Sequence, residues 1–125
     1  QFYKYDSDVS KSTNYIKERV IKKESKIFVA IDKDNKAIGF VQLYETFGSL
    51  DLGKIVILYD LYVKEEYRKN NIGRELMLTS NSYAKKIGAK RIQLSTAIDN
   101  SIGQSLYESL GYIKEKDFYT YDLEI

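Results

Sequence analysis

The 125 residues make a chain of about one domain's length, and 43% of them are hydrophobic, which is enough for a single core. With 20 Lys and Arg against 18 Asp and Glu, the net charge of +2 gives no reason to expect nucleic-acid binding. The chain has no Cys and no His, which excludes disulfides, thiolate metal ligands, a cysteine nucleophile and the imidazole that most often serves as general base.

The chain shows no feature of a membrane or secreted protein. No apolar run is long enough to span a bilayer, and the first residues lack a signal peptide's apolar stretch. We therefore expect a soluble, cytoplasmic protein with one domain over residues 1–125 and no bound metal. The chain does not begin with Met, which suggests that a natural N-terminal segment preceded Gln1.

The first half of the chain predicts one helix and three strands. Residues 12–24 space their apolar side chains at helical intervals, which indicates an amphipathic helix. Lys26–Ile31 and Ala37–Tyr44 flank a polar turn and predict a β-hairpin. The apolar run Lys54–Val63 suits a central strand buried on both faces, and it carries one acid, Asp60.

The second half alternates helices and strands. Residues 73–87 form an apolar helical face, 91–96 a short strand, and 100–110 a second helix that ends at Gly111. The tail, 112–125, alternates well enough to predict one or two strands. This order indicates a mixed α/β fold whose ligands meet the carboxyl ends of its parallel strands.

A basic turn, Arg68–Arg74, joins the central strand to the first helix of this half. Its free N-H groups and the helix dipole would attract an anion such as a pyrophosphate. The turn lacks the Gly-Lys-Ser/Thr of a Walker motif and the three glycines of the dinucleotide fingerprint. Taken alone, it favours a simple solvated turn formed by Asn70 and Asn71.

Together with its neighbours, this turn resembles that of the GNAT superfamily of acetyl-CoA-dependent N-acetyltransferases, and the similarity covers about residues 12 to 125. The family's Arg/Gln-x-x-Gly-x-Gly/Ala matches positions 68–73, except that Asn71 stands where the first Gly is usual. Because Asn tolerates a left-handed backbone, we expect the turn to keep its shape. The resemblance implies the GNAT fold: a mixed sheet with a V-shaped splay between two parallel strands, and helices on both faces.

A second motif looks like the family's Asn-x-x-(Ala)-x-x-Leu-Tyr-x-x-Leu-Gly-Phe/Tyr. It runs from Asn100 to Tyr112, with Gly103 in place of the small Ala. The resemblance implies that Tyr107 protonates the departing coenzyme A thiolate and that Asn100 holds the cofactor or a water. A phenol pKa of about 10 lies near a thiol pKa of about 8.5, so the transfer is chemically reasonable. The alternative for Tyr107 is packing in the core.

The resemblance also assigns the acetyl-CoA site. The N-H groups of the turn hold the pyrophosphate, and the end of the central strand pairs with the pantetheine arm, where an N-H at Leu61 polarises the acetyl carbonyl. The residues assigned to coenzyme A are Leu61, Tyr62, Val63, Arg68, Lys69, Asn70, Asn71, Ile72, Gly73, Arg74, Asn100 and Tyr107.

Without Cys or His, a covalent acetyl-enzyme through thiol or imidazole is excluded, so the acceptor amine should attack the thioester directly in a ternary complex. An aliphatic amine arrives as ammonium, with a pKa of about 10.4, and needs a base. Asp60, at the carboxyl end of an apolar strand, is the predicted base, with a purely structural carboxylate as the equal alternative. Glu45 is the reserve base, and a relay through ordered water is an alternative for either acid.

Acidic residues outnumber basic ones in segments 39–63 and 115–125, which predicts a cationic acceptor. Segments 39–44 and 94–100 look similar to the branch of fungal histone and polyamine acetyltransferases, which implies a polyamine or lysine-like amine. That branch often pairs subunits through its last strands, so we expect a homodimer formed through the C-terminal strands. The residues assigned to the acceptor are Tyr44, Glu45, Tyr59 and Asp60.

Two alternatives stay open at this point. A non-catalytic acyl-CoA-binding or regulatory domain would use the same scaffold, since a fold does not fix a function. A nucleotide-binding signalling domain would instead prefer ATP to coenzyme A.

Overall fold

The computed structural model of the protein describes residues 25–125. The helix predicted over residues 12–24 lies outside this range. The chain divides into two compact units, one ending at Ser95 and one running from Thr96 to Ile125. The arrangement as one domain stays a prediction, and we describe each unit by itself.

The described part of the first unit, residues 25–95, contains a four-stranded mixed sheet in the order β1-β2-β3-β4. Strands β1 (Lys26–Ile31), β2 (Ala37–Gly48) and β3 (Gly53–Val63) are antiparallel neighbours, and β4 (Ile92–Leu94) runs parallel to β3. The mixed α/β fold, the hairpin and the central strand are therefore confirmed. β2 is longer than predicted and β4 is shorter.

The hairpin turn between β1 and β2 is closed by Asp32. Its Oδ1 accepts hydrogen bonds from the backbone N-H of Asp34 and Lys36, at 2.8 and 3.0 Å. Asn35 takes the left-handed conformation, with φ of 62°, which Asn tolerates better than most residues. The other carboxylate oxygen of Asp32 accepts a bond from the Tyr67 hydroxyl, at 3.2 Å. The hairpin is thereby tied to the turn that follows β3.

Helix α1 (Ile72–Lys86) packs on one face of β1, β2 and β3. Its first residue precedes the predicted start by one position, and the chain leaves the helix at Gly88, whose φ of 77° suits a glycine. The residues of α1 that are buried are Leu76, Met77, Ser80 and Ala84. They pack on the sheet face that carries Val41 and Leu43.

A one-residue bulge interrupts the pairing of β2 with β3. Leu43 lies opposite Leu58, but the residue before it in β2, Gln42, lies opposite Asp60. Tyr59 is therefore the extra residue of β3. β4 pairs only with residues 56–58 of β3. Beyond Leu58 the two parallel strands no longer pair, at the position where the splay was expected.

The second unit contains helix α2 (Ser101–Ser109) and the tail. The prediction of one or two strands over residues 112–125, around Lys116 and Asp117, is wrong, because these residues have no regular secondary structure. A strand needs a neighbouring strand to pair with, and α2 is the only regular element of residues 96–125. The alternating apolar side chains of the tail are instead exposed.

Candidate functional site

The basic turn between β3 and α1 has an unusual backbone. A short 3-10 turn, Glu65–Tyr67, follows β3 and leads to Arg68, which is extended. Lys69 and Asn71 then both take the left-handed conformation, with φ of 69° and 64°. Successive N-H groups in turns that contain left-handed residues form concave anion sites. The backbone of this turn is therefore suited to a phosphate group.

Asn71 is the N-cap of α1, and its left-handed backbone agrees with the prediction for this position. Its side chain makes no capping hydrogen bond. The first N-H groups of a helix have no partner within the helix, and without a side-chain cap they suit a ligand or water. The left-handed conformation of Lys69 was not predicted, because a lysine seldom adopts it.

Arg68 is tied to the end of β3. Its Nε donates a 2.9 Å hydrogen bond to the carbonyl oxygen of Val63, and its guanidinium carbon lies 5.8 Å from the centroid of the Tyr62 ring. Within residues 25–125, its two terminal nitrogens have no acceptor. The guanidinium is thus oriented by the strand and keeps donors for an anion. Lys69 and Arg74 are exposed on the same turn.

Within residues 25–125, one edge of β3 is unpaired after the bulge. The N-H of Lys64 donates to the carbonyl of Ile38 on β2, at 2.8 Å. Because backbone groups alternate along an antiparallel strand, those of Tyr62 also face β2, and those of Leu61 and Val63 face the opposite edge. Pairing with β4 has ended by this point. Two residues assigned to the pantetheine arm therefore present backbone groups at an open edge.

Three of the four residues assigned to the acceptor lie together on the sheet face opposite α1. The rings of Tyr44 and Tyr59 meet edge to face, with centroids 5.6 Å apart. Asp60 is half-buried, and its Oδ2 accepts a 2.7 Å hydrogen bond from Nε2 of Gln42. The bulge at Tyr59 is the reason why Asp60 shares this face, since uninterrupted alternation would direct it toward α1.

Glu45 lies on the other face of the sheet. Its Oε2 accepts a 2.6 Å hydrogen bond from the Tyr83 hydroxyl of α1, and its Oε1 forms a 3.1 Å ion pair with Lys54. The bond from Tyr83 lowers the pKa of Glu45, despite some burial, and burial together with this bond raises the pKa of Tyr83 to about 12. The structure does not bring Glu45 together with Asp60. A carboxylate that is already paired is also a poor reserve base.

Gln42 lies on the same face of the sheet as Asp60, and the sequence analysis did not single it out. Its side chain is only 1% exposed and contacts both Asp60 and Ser25. The available signal was one amide in the otherwise apolar centre of a strand.

In the second unit, Asn100 is the N-cap of α2. Its Oδ1 accepts a 3.1 Å hydrogen bond from the N-H of Gly103, and its Nδ2 donates to Thr96 Oγ1 at 2.9 Å. A Cβ at position 103 would clash with the Asn100 amide as it is oriented here, so an alanine would require that side chain to shift. Both polar atoms of the Asn100 side chain have partners, so its contact with a cofactor stays a prediction.

Tyr107 is the one residue of α2 that is buried. Burial raises the pKa of its hydroxyl, so the phenol is protonated at neutral pH but is a weaker acid than an exposed tyrosine. Its ring lies 6.2 Å from that of Tyr112, whose N-H donates to the Tyr107 carbonyl at 3.0 Å. Burial, with a smaller contribution from Tyr107, raises the pKa of Tyr112 to about 12. The catalytic role of Tyr107 stays a prediction.

Among residues 25–125, no group of three or more His, Cys, Asp or Glu side chains is arranged to hold a metal ion. None of the helices in this range combines the length and the apolar character needed to cross a membrane. The cytoplasmic location stays a prediction.

Comparison with known proteins identifies clear relatives. The model of the acetyltransferase (GNAT) family matches residues 1–112. The chain is 36% identical over 125 residues to the uncharacterized N-acetyltransferase YhfO of Bacillus subtilis, covering 100% of this chain and 83% of the relative. It is also 36% identical over 98 residues to N-alpha-acetyltransferase 30 of Schizosaccharomyces pombe, covering 77% of this chain and 63% of that one.

A solved structure gives the same result for the fold. The crystal structure of a probable acetyltransferase, 35% identical in sequence, superposes with a TM-score of 0.89. The match covers 99% of this chain and 87% of the other.

Proposed function

Because this chain belongs to the GNAT acetyltransferase family and is an acetyl-transferring enzyme, we propose that its acceptor is a primary amine of a small cationic molecule, a polyamine or a lysine-like amine. The observation that carries this proposal is the position of Asp60 beside Tyr44 and Tyr59 on one face of the sheet. A carboxylate attracts an ammonium, and aromatic rings bind cations through their faces.

Acetyl-CoA is the proposed donor. We assign its pyrophosphate to the turn Arg68–Arg74, where two left-handed residues and an uncapped helix start support an anion site. We assign the pantetheine arm to the open edge that Leu61 and Val63 present on either side of Tyr62. There the N-H of Leu61 would polarise the acetyl carbonyl.

The reaction follows from these assignments. Asp60, directly or through a water, takes a proton from the acceptor ammonium, and the free amine forms a bond to the acetyl carbon. The bond from carbon to sulfur breaks, and Tyr107 gives its proton to the departing thiolate. The nitrogen then loses its second proton to water, from which Tyr107 is reprotonated, and Asp60 releases the first proton to solvent. The match of residues 100–112 to the family's motif supports this role of Tyr107. The products are an N-acetylated amine and free coenzyme A.

A second acceptor class has its own support. The 36% identical relative from Schizosaccharomyces pombe is named an N-alpha-acetyltransferase, which favours the α-amine at the start of a peptide. Both classes present an ammonium group to Asp60. They differ in whether further positive charge or a peptide backbone lies behind the reacting amine.

We propose a homodimer that forms through the tail, residues 112–125. Several of its large apolar side chains are exposed, which would suit burial against a second copy. They are Ile113, Phe118, Tyr119, Tyr121, Leu123 and Ile125. A sedimentation mass of one chain over a wide concentration range would reject this proposal.

Release of free coenzyme A from acetyl-CoA tests the acceptor class. Because the chain has no Cys, a thiol reagent detects only the product. The panel is spermidine, a peptide with an internal lysine and blocked ends, a lysine-free peptide with a free N-terminus, and an uncharged hydroxylated amine of low pKa. We expect the highest kcat/KM for spermidine or the lysine peptide. A preference for the lysine-free peptide would replace the proposal with the second class, and a preference for the uncharged amine would reject both.

A further inference from the structure

Gln42 is a buried amide in an apolar strand. Its side chain is 1% exposed, and its neighbours along β2, Val41 and Leu43, are 0% and 1% exposed. Burying an amide away from water is unfavourable unless its donors and acceptors are bonded. A buried glutamine at this position therefore depends on its partners.

Both ends of the Gln42 amide have a partner. Nε2 donates to Oδ2 of Asp60 at 2.7 Å, and Oε1 accepts from the Ser25 hydroxyl at 3.1 Å. The orientation of the amide follows from chemistry, since an ionised carboxylate can only accept and must face the nitrogen. The serine hydroxyl then meets the amide oxygen and can donate to it. The chain Ser25 to Gln42 to Asp60 is consistent at each step.

The register of the sheet supports a specific pairing. Asp60 lies directly opposite Gln42 only because Tyr59 is the extra residue of the bulge. Side chains directly opposite each other on antiparallel strands are the closest pairs that a sheet offers. The contact is therefore set by two central strands rather than by a loop.

We propose that Gln42 is a positioning residue that holds the carboxylate of Asp60 for deprotonation of the acceptor amine. This inference rests on the proposed role of Asp60 as the base. Gln42 engages one carboxylate oxygen, Oδ2, which leaves Oδ1 to meet the acceptor or a bridging water. Ser25 supports Gln42 in turn, because its hydroxyl donates to Oε1 and holds the amide in this orientation.

The test is a double-mutant cycle measured with the amine that gives the fastest coenzyme A release in the panel. Gln42→Met keeps the length of the side chain but removes the hydrogen bond to Asp60. We expect kcat to fall about tenfold, as for the loss of a hydrogen bond to a charged group, while the KM for acetyl-CoA changes less than about twofold. In the Asp60→Asn background, the same substitution should change kcat by less than about twofold.

The matched control is Gln93→Met, the same substitution at an exposed position of β4. We expect it to leave kcat unchanged. Ser25→Ala is a milder second variant, which should lower kcat about threefold if the serine orients the amide. It keeps the proposal testable if Gln42→Met lowers the yield of folded protein.

The outcomes separate the inference from the function on which it rests. If Asp60→Asn is nearly inactive and both Gln42→Met and Ser25→Ala are fully active, the positioning role is overturned. The assignment of Asp60 as the base is then retained. If Gln42→Met lowers kcat equally in both backgrounds, its effect is structural, and the positioning role is overturned. If Asp60→Asn keeps full activity, the base assignment fails and the positioning role fails with it.

Discussion

The Nε of Arg68 donates a 2.9 Å hydrogen bond to the carbonyl oxygen of Val63, so the first cation of the turn is anchored to the last residue of β3. The anchor joins the two segments proposed to hold the donor, its pyrophosphate turn and its pantetheine edge. An arginine suits this position because its planar guanidinium offers five donors in a fixed arrangement.

Arg68→Ala should therefore weaken donor binding. We expect the Kd for acetyl-CoA, measured by calorimetry, to rise about tenfold, as for the loss of a charge-assisted hydrogen bond. Arg68→Lys should recover only part of this loss, because a lysine cannot bond to Val63 and an anion with the same geometry. Lys36→Ala, which removes one exposed cation from the hairpin turn, is the control. An equal loss in both alanine variants would show that net charge, and not the anchor, matters.

Substitutions of Asn71 test the left-handed backbone at the start of α1. Its φ is 64°, so Asn71→Ala should lower the free energy of unfolding by about 1 kcal/mol, whereas Asn71→Gly should be tolerated. Denaturant unfolding and acetyl-CoA binding measure the two effects. We expect Asn71→Gly to bind the donor at least as tightly, because glycine allows closer approach of the phosphate. Looser donor binding in Asn71→Gly would show that the asparagine side chain itself contacts the donor.

The sequence was sufficient to predict the parts of the first unit that depend on local patterns. The apolar face of α1, the hairpin and the left-handed Asn71 each follow from residue type and spacing. The bulge at Tyr59 does not, because it arises from the register of two strands whose apolar run looks continuous. That single residue decides which face carries Asp60.

The tail shows a second feature that a local sequence pattern does not determine, the presence of a partner strand. Its alternating pattern is compatible with a strand, but a pattern cannot supply the neighbouring strand that completes the ladder. The position of Glu45 shows the same limit for a site. Glu45 was assigned to the acceptor together with Tyr44, yet adjacent residues of a strand point to opposite faces.

Raising the pH should destabilise the second unit through Tyr112. Burial raises the pKa of its hydroxyl from 10.0 to about 12. The unfolded chain therefore loses this proton at a lower pH than the folded chain, so the free energy of unfolding is fully retained below about pH 10 and falls between about pH 10 and 12. Tyr112→Phe should flatten this fall, as measured by denaturant unfolding at several pH values. An unchanged slope in the variant would mean that Tyr112 does not contribute to it, and the exposed Tyr119→Phe serves as the control.

Tyr107→Phe tests the proposed acid, because it removes the hydroxyl and keeps the ring that is buried in α2. We expect kcat to fall about a hundredfold, the lower end of general acid catalysis, while the Kd for acetyl-CoA and the thermal midpoint stay close to those of the original protein.

The defect should also depend on the leaving group. An acetyl thioester of a more acidic thiol needs less help from an acid, so the difference between the two proteins should shrink with such a donor. A rate equal to that of the original protein with acetyl-CoA would leave Tyr107 with a packing role alone. A defect of the same size with both donors would indicate that the hydroxyl orients the thioester rather than protonating the thiolate.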